Sequence, residues 1–165
     1  MKLIVCDASP LIVIAKTGLI PVLKGTAEEV IVPETVYAET TIDLTLPGAE
    51  AIRVAVEAGH IQVRPDVARP DTDPDEELSG LDAGERAAIR LARALQCPVL
   101  MDECRGRQAA RRGGLSVIGS AGLLLNAKER GLIPALAPVL ERWRRSGYFL
   151  SATLVKAVLE QAGEV

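Results

Sequence analysis

Short apolar runs alternating with helically spaced segments predict an α/β domain, with a central parallel sheet flanked by helices. Three observations carry this reading. The runs Leu3–Cys6, Glu29–Pro33, Pro98–Met101 and Leu115–Ile118 are short and apolar without clean alternation, as strands buried on both faces are. Each is followed by a turn and a helical pattern, and crossovers of that kind join parallel neighbours. Finally, the chain has 165 residues, 48% of them hydrophobic, which suits one compact domain over 1–165.

The first strand stops abruptly at Asp7, where an open α/β sheet presents its ligands. Ser9 is expected to cap the next helix and Pro10 to occupy its first turn. Ile20–Leu23 continue as a short helix ending at Gly25, and strand Glu29–Pro33 leads into a helix carrying Val36, Tyr37, Glu39 and Thr40. Ala49–Ala58 reads as an amphipathic helix closed by Gly59, and His60–Arg64 as an edge strand with His60 at the surface. Between Pro65 and Ser79 the composition turns to Pro, Asp, Glu and Thr, a loop. Asp82, with Glu85 three residues on, forms a capping-box signature at the head of a helix lined by Ala88, Ile89, Leu91, Ala92 and Leu95. The strand Pro98–Met101 closes on Asp102, and Arg105–Arg112 forms a polar helix. Leu115–Ile118 is the last strand. Helices over Ala121–Arg130, Ile133–Arg145 and Ser151–Ala162 complete the chain.

Composition excludes several classes. A formal charge of −3 argues against a general basic coat for nucleic acid, and aromatics at 2% leave little for base stacking. Three cysteines at wide spacings (Cys6, Cys97, Cys104) suggest neither a disulfide framework nor a zinc site, and read as buried thiols of a reducing compartment. No apolar run is long enough for a membrane span and the amino terminus enters a strand directly, so a cytoplasmic protein is expected.

What remains is a series of acids at element ends: Asp7, Glu39, Asp82, Glu85 and Asp102, with Glu103 beside the last. Converging carboxylates repel and stay ionised mainly beside a cation, and hard oxygen donors select Mg²⁺ or Mn²⁺. Such ions activate water and stabilise the leaving oxygen of a phosphodiester. The alternative for Asp82 and Glu85 is pure capping, for Glu39 a solvated helix face, and for the arginines of 105–112 and 142–145 a solvated surface balancing the acidic loop.

The motifs Val5-Cys6-Asp7-Ala8-Ser9-Pro10-Leu11, Val32-Pro33-Glu34-Thr35-Val36-Tyr37-Ala38-Glu39, Leu81-Asp82-Ala83-Gly84-Glu85-Arg86, Leu100-Met101-Asp102-Glu103-Cys104-Arg105-Gly106-Arg107 and Val117-Ile118-Gly119-Ser120-Ala121-Gly122 run in one order. In this the chain resembles the PIN-domain nucleases, and among them the VapC-like toxins. The resemblance implies a three-layer domain and a Mg²⁺- or Mn²⁺-dependent endoribonuclease. Asp7, Glu39, Glu85 and Asp102 would be its catalytic acids, holding the metal together with Asp82. Ser9 would orient Asp7, and Arg107 and Ser120 would orient or bind the RNA. The family's commonest pattern has an aspartate where Glu85 stands, so Asp82 could share or take that role. A small cognate antitoxin and a homodimer are further implications; Trp143, Tyr148 and Phe149 are exposed candidates for that contact, with an ordinary core role as the equal alternative. A non-catalytic binding module, or a DNA nuclease or phosphatase using the same acids, would account for the same pattern.

Overall fold

A computed structural model describes residues 1–68 and 78–165, so most of the acidic loop, 69–77, lies outside the described residues. The strands are β1 (Leu3–Cys6), β2 (Glu29–Pro33), β3 (Gln62–Arg64), β4 (Val99–Leu100) and β5 (Val117–Ile118). Among the described residues they form one parallel sheet in the order β3-β2-β1-β4-β5. The helices are α1 (Ala8–Lys16), α2 (Ile20–Thr26), α3 (Glu34–Thr41), α4 (Ala49–Glu57), α5 (Ala83–Leu95), α6 (Cys104–Arg112), α7 (Ser120–Glu129), α8 (Ala137–Arg145) and α9 (Ala152–Gln161).

Strand alternation divides the interior into two layers. Ile4, Cys6, Val30, Val32 and Leu100 face one side, packing with Leu11, Ile14, Ile52, Leu124 and Trp143. Val5, Ile31, Val99 and Met101 face the other, under Ala88, Ile89, Leu91 and Ala92 of α5. Each fully buried Leu, Ile or Val contributes about 1.5–3 kcal/mol, and aliphatic side chains supply nearly all of it, as the composition requires.

Strand order reverses at β1: the chain steps outward to β2 and β3, then returns to place β4 and β5 on β1's other flank. A crevice opens at such a reversal beyond the carboxyl ends of the strands. Asp7 N–H donates to Leu100 O at 3.0 Å and Met101 N–H to Ile118 O at 3.0 Å, which continue the ladder to the crevice lip. Asp7 and Asp102 flank it.

Several expectations need correction. Ser9 does not cap α1: the helix begins at Ala8 with Asp7 in the cap position (φ −81°, ψ 166°), so Ser9 and Pro10 lie within the first turn, where the missing proline N–H still loses no helical bond. The helix expected from Ile133 begins at Ala137: Pro134 disfavours helical geometry at Ile133, and Pro138 lies in the first turn of the helix, where its missing N–H loses no helical bond. Trp143 is 1% exposed, with Nε1 donating to Thr17 Oγ1 at 3.1 Å, so it belongs to the core. Cys104 is exposed, while Cys6 and Cys97 are buried. No described helix is long and apolar enough to cross a membrane.

Candidate active site

Four of the predicted acids act on one another around the end of β1. Asp7 is only 5% exposed. Burial raises its carboxyl to about 7, and the neighbouring charges of Glu85, Asp82 and Glu39 push the same way against a hydrogen bond from the Ala8 backbone.

Glu85 and Asp82 arrive together through the helix cap. Glu85 N–H donates to Asp82 Oδ1 at 2.8 Å, and Asp82 N–H donates to Glu85 Oε2 at 3.0 Å. The capping box is therefore real and contributes about 1 kcal/mol to the start of α5. It engages one oxygen of each acid, and a carboxylate carries about four lone-pair sites, so capping leaves acceptor capacity on both. Glu85 is raised by burial and by the charges of Asp82 and Glu103, while Arg105 acts in the opposite sense.

Glu39 extends from the exposed face of α3 to the head of α5. Its carboxyl is raised, first by burial and then by the charges of Asp82 and Glu85, while the Gly84 backbone N–H favours its ionised form. Gly84 leaves room for this contact: a Cβ there would lie 2.5 Å from Glu39 Oε2.

Asp102 is held differently. Its Oδ1 accepts the Ser120 backbone N–H at 2.7 Å, at the positive end of α7, and its Oδ2 accepts the Tyr148 hydroxyl. An acid closing a buried strand needs such compensation. Tyr148 links the two parts of the site: behind burial, the charges of Asp102 and then Asp7 raise its hydroxyl above the usual range. Tyr148 was missed as a site residue, because 46 positions separate it from Asp102 and no local pattern joins them.

The remaining candidates are spread around this centre. No hydrogen bond joins Ser9 to Asp7 among the described residues; Ser9 is exposed and borders a groove with Asp102. Ser120 is fully buried; its backbone N–H donates to Asp102, and its hydroxyl acts on the Tyr148 hydroxyl in the sense opposite to Asp102. Arg107 donates from Nη1 to Met101 O at 3.2 Å. Gly119 lets it approach, since a Cβ there would collide with that guanidinium and lie 3.2 Å from Asp102 Oδ1.

Among the described residues no three His, Cys, Asp or Glu side chains stand close enough together to coordinate a metal ion. The donor chemistry nonetheless fits a hard divalent cation, and Mg²⁺ is commonly held by one or two carboxylates together with its own waters and a substrate phosphate. Asp7, buried and crowded by like charge, is the donor whose ionised form such an ion would favour most.

A family model described as PIN domain matches residues 3–164. Among solved structures, a domain of a functionally unknown protein from Methanocaldococcus jannaschii DSM 2661 is 20% identical, with 72% of this chain and 91% of that chain covered and a TM-score of 0.48. No curated protein matches the chain.

Proposed function

We propose, because this chain belongs to the PIN-domain family, that it is an endoribonuclease dependent on Mg²⁺ or Mn²⁺. PIN domains are generally nucleases. The observation that carries the proposal is Asp7, buried at the strand reversal and raised first by that burial and then by the charges of three other carboxylates. Asp7, Glu39, Glu85 and Asp102, with Asp82 beside them, are the acids from which one or two carboxylates would hold the cation, its own waters and a substrate phosphate completing the shell. A bound divalent ion supplies positive charge to a phosphodiester and makes water a stronger nucleophile. Ser120 and Tyr148 fix the orientation of Asp102, and Gly84 fixes that of Glu39. Arg107 offers a guanidinium to a phosphate beside them. A toxin role, with a small antitoxin and a second copy as partners in the cytoplasm, rests on the order of the motifs and goes with this reading.

The test is incubation of the chain with single-stranded RNA, single-stranded DNA and a small phosphomonoester, each with Mg²⁺ and with EDTA. Cleavage of RNA alone, internal to the strand and abolished by EDTA, is expected. Hydrolysis of the monoester or of DNA in preference to RNA would reassign the same acids to a phosphatase or a DNA nuclease. Cleavage of nothing, together with no effect of Mg²⁺ on stability, would favour a binding module.

Gly84→Ala separates the site from the fold. Alanine in a helix is favoured over glycine by about 1 kcal/mol, so the variant is expected to melt no lower than the parent. The added methyl displaces Glu39, and loss of a well-positioned supporting contact of this kind lowers metal affinity or activity about 10- to 100-fold. Parallel melting curves and rate measurements check both halves.

A further inference from the structure

An open groove of about 770 Å³ adjoins the site, with Asp102 and Ser9 in its lining. One wall is a single face of α6, on which Arg107, Gln108 and Arg111 recur at three- and four-residue spacing. The segment from Tyr148 to Ser151 also lines the groove. Phe149 stands there 77% exposed, although it is the only phenylalanine of the chain.

The charges of this groove are available. Among the described residues neither Arg107 nor Arg111 forms an ion pair, whereas Arg144 and Arg145 are both paired with Glu141. Glu103, the other acid of the groove besides Asp102, is engaged in capping α6 through Gly106 N–H at 2.9 Å. Arg107 and Arg111 are one turn apart, about 6 Å along the helix axis, comparable to the separation of successive phosphates in an extended strand.

We infer that this groove is the track for a single-stranded polynucleotide entering the site, with phosphates on Arg107 and Arg111 and one base stacked on Phe149. The inference rests on the nuclease reading and names where the substrate lies. It revises the expectation from composition, since one exposed ring in the right place is enough for one base. Recognition of this kind tolerates any sequence, because every base presents a π-face.

The test is binding of a short fluorescein-labelled RNA of mixed sequence, followed by anisotropy in EDTA so that nothing is hydrolysed. Phe149→Leu is expected to weaken binding about tenfold, within the range for loss of one base–aromatic stack, and Phe149→Tyr to retain it. Arg111→Gln is expected to reduce the slope of log affinity against log salt by about 0.7, one phosphate contact on a single strand. Affinity unchanged in Phe149→Leu, or equal loss in the leucine and tyrosine variants, overturns the assignment. So does unchanged RNA affinity with an altered sedimentation coefficient, which would make the face a contact between protein copies. Hydrolysis with unaltered KM in Phe149→Leu overturns the groove and leaves the nuclease standing. Binding that depends on the aromatic ring, by a chain that hydrolyses nothing, keeps the groove and overturns the nuclease.

Discussion

Asp7→Asn is expected to lower Mg²⁺-dependent RNA cleavage by about 10³-fold or more. A cation at a phosphodiester contributes several kcal/mol of charge stabilisation, and each 1.36 kcal/mol is a factor of ten in rate. Asparagine keeps the shape and the strand-end backbone but lacks the charge that holds the ion. Asp7 is the acid on which Glu39, Asp82 and Glu85 converge, and among the site acids it is the least exposed, so its replacement leaves no equivalent donor at the crevice. Single-turnover cleavage at saturating Mg²⁺ checks this. A variant retaining a tenth of the parental rate would place the reacting centre elsewhere.

Without divalent cations the protein is expected to lose stability as pH rises from about 4 to above 7. The sign follows from Asp7. Its carboxyl ionises near 3.8 in an unfolded chain and near 7 in the folded one, so between those values folding takes up a proton. The stabilisation is complete below about pH 4 and is lost as pH climbs through 7. The interval corresponds to about 4 kcal/mol, and Glu39 and Glu85 shift in the same direction. Urea denaturation at several pH values in EDTA measures the slope. Mg²⁺ should flatten it, and Asp7→Asn should both flatten it and stabilise the metal-free protein at pH 8. An equal slope in parent and variant would assign the linkage to other groups.

The sequence makes local features of the site legible. The capping box at Asp82 and Glu85 depends on residues three apart, and the structure contains it with both hydrogen bonds. Strand ends at Asp7 and Asp102 are marked by apolar runs that stop at an acid, and the parallel sheet follows from the alternation of runs and helices. What stays hidden is contact between distant segments. Tyr148 reaches Asp102 across 46 positions, and Glu39 meets Gly84 from a helix face that looks merely solvated. Trp143 sits on a helix dense with arginine, yet its ring turns inward to Thr17. Ser9 failed as a cap for a subtler reason: a helix start moved by one residue changes every role in its first turn.

The single tryptophan gives this chain an optical reporter of its own. The Trp143 and Tyr148 rings meet edge to face, 5.7 Å apart at an interplanar angle of 82°, and the Tyr148 hydroxyl rests on Asp102. An occupant that draws Asp102 away from Tyr148 alters the surroundings of the only indole. Emission from the unmodified protein therefore registers events at the carboxylates, so titrations of ions or oligonucleotides can be followed there without an added dye.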